Sequence, residues 1–236
     1  MEAQRERTSD IYRHEVKYYV NARDAHLLCM YLKSIMHVDE NADEHGEYWI
    51  RSLYFDTAAN RDYCEKLGGI SERKKFRIRI YDTQADYARL ELKSKSGPYV
   101  HKQSAEIGRP AALRLANGDF GALSGLRERA AGAFYACHHA EQLRPVILID
   151  YVRKAFYLPF EGIRVTIDRC LQASLEPRAL FCSDMPRVPV LSGQARILEV
   201  KFYHALPGCV RSVLSDLAPQ ISSVSKYVLS RQTIHI

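Results

Sequence analysis

Basic side chains recur at every second position along stretches that have the composition of β-strands. The clearest is residues 73–81, in which Arg77 and Arg79 alternate with phenylalanine and isoleucine. Side chains two apart on a strand share a face and lie about 6.5 Å apart. That spacing is within side-chain reach of phosphates two apart in a linear chain, and Arg and Lys bind phosphate through charge-assisted hydrogen bonds. The spacing is therefore compatible with phosphate recognition and equally with an ordinary solvated surface.

Basic residues at alternate positions recur on most of the predicted strands. Lysine is generally depleted in strands, so its repetition here is unusual. The basic residues on predicted strands are Arg13, Lys17, Arg77, Arg79, Lys93, Lys95, Lys102, Arg153, Arg164 and Lys201. Acidic residues interrupt the same faces at Glu15, Glu91, Asp168 and Glu199. Because hard divalent cations prefer oxygen ligands, these carboxylates are candidates for holding one.

Two arrangements of the sheet satisfy this alternation. In an open sheet the apolar face packs on the core and the charged face meets water, a rule that every one of these strands obeys. In a closed sheet of about eight strands the charged face would line an interior wide enough for side chains or one slim ligand. A linear polyanion would relieve the repulsion among the lining cations. Periodicity alone leaves both arrangements open.

Composition bounds the class of protein. The chain has 236 residues, of which 47% are hydrophobic, enough for one large domain or two small ones. Its net charge of +6 favours an anionic partner or simply aids solubility. Six scattered cysteines without a CxxC pair fit a reducing cytoplasm. The N-terminus lacks a signal sequence, and no apolar run is long enough to span a membrane.

The elements that must position these residues are mostly strands. We predict one domain over residues 1–236, mainly antiparallel β with several helices, in which residues 1–10 are disordered and residues 110–143 form a helical insertion. We expect Arg73, Lys74 and Lys75 to be solvated at the start of their strand or to guide anions to an opening. The predicted strands are Tyr12–Val20, Tyr48–Asp56, Arg73–Tyr81, a run through Leu90 and Leu92, Tyr99–Ile107, Val146–Leu158, Ile163–Gln172 and Ala195–Tyr203.

Eight short strings occur in an order that is much more specific than any one of them. They are His14-Glu15-Val16-Lys17-Tyr18, Arg51-Ser52-Leu53-Tyr54-Phe55-Asp56, Arg77-Ile78-Arg79-Ile80-Tyr81, Leu90-Glu91-Leu92-Lys93, Tyr151-Val152-Arg153, Arg164-Val165-Thr166-Ile167-Asp168, Leu198-Glu199-Val200-Lys201 and Ser225-Lys226-Tyr227. Together they closely resemble the VTC-type polyphosphate polymerase domain, a branch of the triphosphate tunnel metalloenzymes, over roughly residues 11–230.

The resemblance implies a fold and an activity. The implied fold is α+β and mainly antiparallel: a closed, eight-stranded, tunnel-like β-barrel with helices packed outside. The implied activity is transfer of the γ-phosphoryl group of ATP to a growing polyphosphate chain, with Mn²⁺ or Mg²⁺ as cofactor. ATP or another triphosphate and polyphosphate are the implied partners. The sequence predicts no particular oligomeric state.

The resemblance also assigns roles to residues. As catalytic residues it implies Lys17, Arg77, Arg79 and Lys93. As phosphate-binding residues it implies the same four with Lys102, Tyr151, Arg153, Arg164, Ser225 and Lys226, where Tyr151 and Ser225 add neutral hydrogen bonds. Glu199 is the implied metal ligand, and Glu91 and Glu15 are secondary candidates for binding metal or positioning water.

One departure from the family pattern bears on the reaction. Other tunnel enzymes begin their first strand with Glu-x-Glu-x-Lys, whereas this chain has Arg13 at the first of those positions. The change favours the polymerase branch over the hydrolytic branch, which uses more carboxylates. A metal-dependent triphosphate hydrolase and a non-catalytic polyphosphate-binding module stay as alternatives. Nucleic acid is disfavoured, because no basic helix is predicted and the aromatic residues lie mostly on apolar faces.

Overall fold

A computed structural model describes residues 14–97, 99–159, 162–218 and 220–235. The predictions for residues 1–10 and for Arg13 lie outside the described residues. Within them, the fold is the predicted α+β type, and all paired strands are antiparallel. This confirms the predicted fold class at that level.

The described residues form ten strands and six α-helices. The strands are β1 (His14–Asn21), β2 (His37–Val38), β3 (Glu47–Asp56), β4 (Arg73–Ile80), β5 (Tyr87–Ser96), β6 (Tyr99–Gly108), β7 (Arg144–Leu158), β8 (Ile163–Ser174), β9 (Val188–Pro189) and β10 (Ala195–Phe202). The helices are α1 (Ala22–Ile35), α2 (Arg61–Leu67), α3 (Arg109–Ala116), α4 (Arg129–Glu141), α5 (Gly208–Leu217) and α6 (Lys226–Ile234).

Eight strands form one continuous path in the order β1-β10-β8-β7-β3-β4-β5-β6, and β2 and β9 attach to β7 and β8. Strands β4, β5 and β6 follow one another as hairpins, which places Lys75 opposite Lys93 and Lys93 opposite Lys102. Because cross-strand partners share a face, the basic residues of consecutive strands stand side by side. Basic residues that alternate along each strand therefore form one continuous charged surface across neighbouring strands.

The prediction of a closed barrel is wrong. β1 and β6 are the two ends of the strand path, and in the described part of the chain no backbone ladder joins them. The physical reason is that the free edge of β1 is already occupied. Tyr18 forms an antiparallel bridge with Ile221, and the amide of Ser222 donates to the carbonyl of Lys17 at 2.7 Å. The sheet is therefore an open, strongly curved trough.

Two apolar cores cover the convex face of the trough. Under α3 and α4, Phe55 and Phe76 pack edge-on against Phe134, with ring centroids 5.4 and 4.9 Å apart. Under α1 and α5, Leu28 and Leu198 are completely buried. Burial of each such side chain contributes about 1.5–3 kcal/mol. These helices pack on the outside of the sheet, as predicted, and the charged face of the sheet points inward.

A third core lies on the concave face and explains an irregularity in β8. Asp168 faces the concavity, and strict alternation would turn Leu171 away from it. The register shifts opposite Tyr151, and Cys170 adopts a left-handed conformation with φ 53°. This bulge brings Leu171 and Ala173 onto the same face as Asp168. One face of the sheet is therefore charged at one end and apolar at the other.

The apolar end of the concave face is covered by α6. Its Tyr227 is buried and stacks on Tyr54 with ring centroids 5.3 Å apart. Its hydroxyl donates to Asp56 Oδ2 at 2.6 Å. The prediction that the helices pack outside the sheet is thus wrong for α6, because the third core offers it an apolar surface inside the trough.

Candidate active site

The concave face gathers basic side chains from the strands and from the start of α6. These residues are Lys17, Lys75, Arg77, Arg79, Lys93, Lys102, Arg153, Arg164, Lys201 and Lys226. Four carboxylates lie among them: Glu15, Glu91, Asp168 and Glu199. The alternation seen in the sequence therefore corresponds to neither arrangement in full: the sheet is open, as in the first, but its charged faces are directed into a shared concavity, as in the second.

The concavity has two parts. An outer chamber of about 1200 Å³ is lined by Tyr48, Tyr81, Lys102 and Arg164, among others. An inner recess of about 100 Å³ is lined by residues that include Lys17, Lys75, Tyr54, Ser225 and Lys226. Six charged residues line both parts: Glu15, Arg77, Arg79, Lys93, Arg153 and Lys201. The two parts thus form one continuous basic cavity that narrows inward.

Strand direction distinguishes the two ends of this cavity. The start of β3 with Tyr48, the end of β4 beside Tyr81 and the end of β7 with Tyr157 all border the outer chamber. The opposite ends of β3 and β7 meet α6, through Tyr54 and Ile147. The outer chamber is therefore the mouth, and the start of α6 borders the inner recess toward the other end.

Glu91 of β5 is the centre of the first charged cluster. Arg77 Nε lies 2.6 Å from its Oε2, Arg79 Nη2 lies 3.5 Å from the same oxygen, and Lys102 Nζ lies 2.6 Å from Oε1. Burial alone would raise the pKa of Glu91, but the two guanidiniums and the ammonium hold that pKa well below its usual range. Glu91 is therefore ionised and orients both arginines toward the cavity.

The second cluster pairs Glu15 of β1 with Glu199 of β10. Lys17 Nζ lies 3.0 Å from Glu15 Oε1 and 3.5 Å from Glu199 Oε2, and Lys201 contacts both carboxylates. Lys93 reaches Glu15 across the trough at 2.7 Å. Burial opposes ionisation, yet the lysines lower the pKa of each carboxyl group. Two ionised carboxylates are thus held together by shared ammonium groups.

The third cluster is built on Asp168 of β8. Arg153 binds it through two parallel hydrogen bonds of 2.7 and 2.8 Å, and Lys226 Nζ lies 2.6 Å away. Both cations also lie over the ring of Tyr151, at 5.3 and 4.8 Å from its centroid. The structure thus gives Tyr151 a cation–π contact with its neighbours. The hydrogen bond to phosphate that the resemblance implies for Tyr151 stays a prediction.

Arg164 stands apart from these clusters, at the wall of the outer chamber. Its Nη2 donates to Asp39 at 2.5 Å and to the hydroxyl of Tyr48 at 3.1 Å. Burial would raise the pKa of Asp39, but hydrogen bonds from Asn41 and the charge of Arg164 lower it. Asp39 is therefore ionised, and its negative charge holds Arg164 in place near the mouth.

Lys75 belongs to the site although we expected it to be solvated. It lines the inner recess and donates to Ser225 Oγ at 3.4 Å. Burial and the nearby cations lower its pKa to about 8. Arg77 and Lys75 likewise outweigh burial at Tyr54 and lower the pKa of that phenol to about 8. Lys75 stands two residues before Arg77, and this spacing indicated that the two side chains share a face. Tyr54 occurs in one of the strings quoted for the resemblance, but no pattern in the sequence assigned it a role.

Every residue that the resemblance assigned to phosphate or metal lies at this concavity or in an ion pair with its lining. Lys201 and Glu15, which carried less weight in the sequence, are central to the second cluster. The two predicted metal ligands, Glu199 and Glu91, fall in separate clusters and are surrounded by cations. The roles of these residues in phosphate and metal binding stay predictions.

A divalent ion fits one place in this arrangement. Over the described ranges, no group of three or more His, Cys, Asp or Glu side chains is suited to hold a metal. Glu15 and Glu199 are close enough for each to interact with Lys17 and Lys201. Magnesium-like ions are commonly held by one or two carboxylates together with substrate phosphates. The Glu15–Glu199 pair therefore suits a metal that arrives with a phosphate ligand.

None of the helices in the described ranges combines the length and the apolar composition that crossing a bilayer requires.

Comparison with known proteins gives a sequence family and a fold. The family model described as the VTC domain matches residues 12–235. A putative adenylyl cyclase from Hippeastrum, described as having a dominant triphosphatase activity, is 19% identical with a TM-score of 0.53, covering 93% of this chain and 95% of its own. A putative adenylate cyclase from Bacillus halodurans is 13% identical with a TM-score of 0.50, covering 91% and 96%. No curated protein sequence matches the chain.

Proposed function

Because the chain belongs to the VTC domain family, we propose that it transfers the γ-phosphoryl group of ATP to the end of a polyphosphate chain, with Mn²⁺ or Mg²⁺. The observation that carries this proposal is the continuous basic lining of the outer chamber and the inner recess. A cavity with so many cations on opposing walls suits a ligand with a charge on every repeating unit. Polyphosphate and the triphosphate of ATP both meet that description.

Phosphoryl transfer needs positioning and charge neutralisation more than covalent help from the protein. The acceptor is itself a phosphate, so no side-chain nucleophile is required. Arg77 and Arg79 are held rigidly by Glu91, which leaves their remaining N–H groups to bind phosphate oxygens. Arg153 is held in the same way by Asp168. These paired arginines pre-organise the cavity, so little reorganisation accompanies the reaction.

A divalent ion would be held by Glu15 and Glu199, with phosphate oxygens completing its coordination. When bound, it would neutralise charge on the transferring phosphoryl group. Lys17, Lys93 and Lys201 would then exchange part of their contact with these carboxylates for contact with the ligand. The carboxylates therefore serve both as counter-ions for the lysines in the empty cavity and as candidate ligands.

Hydrolysis of a triphosphate is the second candidate function. It is favoured by the ionised state of Glu15, which borders both parts of the cavity and could orient a water molecule. The Hippeastrum protein of similar fold is described as a triphosphatase. The two reactions share all the binding groups and differ only in whether water or a phosphate chain end attacks.

Product analysis distinguishes the candidates. Purified protein is incubated with ATP and Mn²⁺, and the products are separated by chain length while free phosphate is measured. We expect chains longer than triphosphate, and we expect Arg79→Ala to abolish them while the exposed Lys74→Ala does not. Release of orthophosphate alone would instead support the hydrolase. Binding of triphosphate without turnover would leave only a polyphosphate-binding module.

A further inference from the structure

Tyrosine rings line the mouth of the outer chamber. Tyr48 of β3, Tyr81 directly after β4 and Tyr157 of β7 all border it. The rings of Tyr48 and Tyr81 meet with centroids 6.2 Å apart and planes inclined at 54°. Tyr81 is 40% exposed, although it belongs to the same alternating face as Arg77 and Arg79. Exposed tyrosines also occur on the outside of the fold, but Tyr48 and Tyr81 border a cavity that is lined by cations.

The hydroxyl groups of this pair are held by arginines of the cavity. Arg79 Nη1 donates to the hydroxyl of Tyr81 at 3.2 Å, and Arg164 Nη2 donates to that of Tyr48 at 3.1 Å. The polar edge of each ring is therefore tied to the cationic lining. An anionic group bound by these arginines would lie directly beside the aromatic pair.

We propose that Tyr48 and Tyr81 bind the nucleobase of the nucleoside triphosphate whose phosphates occupy the basic cavity. The inference rests on the proposed function, because it presupposes a triphosphate bound between Arg77, Arg79 and the inner recess. Aromatic rings beside a row of phosphate-binding groups are the combination that recognises a nucleotide. Stacking is tolerant of base identity, so adenine and guanine nucleotides should bind similarly.

A single nucleotide fits better than a nucleic-acid strand. A strand needs a groove that offers a stacking site to each successive base, whereas this cavity narrows from the outer chamber to a recess of about 100 Å³ that is lined mainly by charged side chains. The sequence predicted no stacking surface, because most aromatic residues lie on the apolar faces of the predicted strands. Tyr48 lies near the start of β3 and Tyr81 directly after β4. Both positions are at the mouth of the cavity, where the charged face opens to solvent.

The test compares a nucleotide with a triphosphate that has no base. Isothermal titration calorimetry measures binding of the non-hydrolysable ATP analogue AMP-PNP and of inorganic tripolyphosphate to the wild type and to Tyr81→Ala. We expect Tyr81→Ala to weaken AMP-PNP binding by about fivefold or more and to change tripolyphosphate binding by less than about twofold. Tyr81→Phe should restore AMP-PNP binding, because it keeps the ring. Tyr135→Ala on α4, where the side chain is 42% exposed outside the cavity, is the matched control.

Four results would overturn the inference, the last of them together with the proposed function. Equal weakening of both ligands in Tyr81→Ala would show that Tyr81 acts only through Arg79. Unchanged AMP-PNP binding in that variant would show that the base does not contact the ring. Binding of an oligoadenylate without a terminal triphosphate as tightly as AMP-PNP would point to a nucleic-acid strand. Failure of the wild type to bind tripolyphosphate would reject the proposed function as well, whereas the first two results would leave it intact.

Discussion

At the scale of single residues, the balance between burial and neighbouring charges decides which lysines stay protonated near neutral pH. Lys17 is flanked by Glu15 and Glu199, and these carboxylates outweigh burial and raise its pKa. At Lys75 burial and the cations of its neighbours prevail, and the pKa is lowered to about 8. Burial similarly lowers the pKa of Lys201 to about 8. The cavity therefore contains two ammonium groups that titrate close to neutral pH.

Titration of these lysines predicts that triphosphate binding weakens with rising pH. As the pH increases from about 7 to about 9, Lys75 and Lys201 lose their protons and the cavity loses positive charge. We expect the affinity for tripolyphosphate, measured by calorimetry, to fall over this range. Lys75→Met should bind more weakly at pH 7 and show a flatter dependence, whereas the exposed Lys74→Met should behave like the wild type. An unchanged slope in Lys75→Met would contradict this assignment.

The stability of the free protein should change in the opposite direction. In the unfolded chain Lys75 has its ordinary pKa of 10.5, while in the folded protein that pKa is about 8. Between these values the unfolded state binds more protons, so the free energy of unfolding rises with pH. Urea unfolding of the ligand-free protein at several pH values measures the slope. The increase should be smaller in Lys75→Met, and an equal increase would assign it to other groups.

The Glu15–Glu199 pair predicts a separation between metal dependence and phosphate affinity. Glu199→Gln removes one candidate metal ligand and frees Lys17 and Lys201 from a counter-ion. We expect metal-dependent turnover to fall by at least about tenfold, while metal-free tripolyphosphate binding becomes tighter. Turnover assays and calorimetry in EDTA measure the two effects. Glu106→Gln, on an exposed position of β6, should change neither. Full metal-dependent turnover in Glu199→Gln would remove that residue from the metal site.

The residues that could be predicted from sequence were those whose signal is local. Arg77 and Arg79 alternate with apolar neighbours, so their shared face follows from strand geometry alone. Lys75 has the same alternation, but its burial depends on Ser225, which is 150 residues away. The pairing of Glu15 with Lys93 across the trough likewise depends on curvature, which no local pattern encodes.

At the scale of secondary structure, α6 joins the cavity to the hydrophobic core. Ser225 caps the helix and also accepts a hydrogen bond from Lys75, and Lys226 pairs with Asp168. One residue further on, Tyr227 is anchored to Asp56, which itself accepts the amides of Thr57, Asp62 and Tyr63. The position of two candidate phosphate-binding residues therefore depends on a buried hydrogen bond outside the cavity.

Loss of that anchor should affect both stability and binding. Tyr227→Phe removes the hydroxyl that donates to Asp56 and leaves the buried carboxylate with one donor fewer. We expect the free energy of unfolding, measured with urea, to fall by about 1–3 kcal/mol. Tripolyphosphate binding should weaken too, because Ser225 and Lys226 lose their support. Thr233→Val, which removes a hydrogen bond within α6 alone, is the control for the helix itself. A destabilised variant with unchanged affinity would show that α6 does not position these residues.

The place of α6 in the fold could not be predicted from the sequence. The string Ser225-Lys226-Tyr227 resembles a family motif, yet α6 is short and its apolar positions do not predict a contact with the concave face. That contact exists because the bulge at Cys170 turns Leu171 and Ala173 inward. A single left-handed residue in β8 therefore determines where α6 can pack.

At the scale of the whole molecule, the trough is open along its side and narrows from the mouth to the inner recess. The segment at Ile221 and Ser222 occupies the free edge of β1, so β6 cannot complete the sheet. Closure could not be read from the sequence, because an edge strand and a central strand have the same alternation. The charged side chains bridge the trough instead, through Lys93 and Glu15.

A cavity that narrows from a wide mouth to a small recess predicts that polyphosphate binds by its chain end. The mouth admits a chain, and the recess of about 100 Å³ next to Ser225 and Lys226 has room for little more than the terminal phosphates. Calorimetric titration with short and long polyphosphates should therefore give a stoichiometry that follows the concentration of chain ends, with an affinity nearly independent of length. Chains whose terminal phosphates are both blocked are the control and should bind much more weakly. If stoichiometry instead followed total phosphate, the chain would lie along the open side between β1 and β6, and the recess would have no role in selecting chain ends.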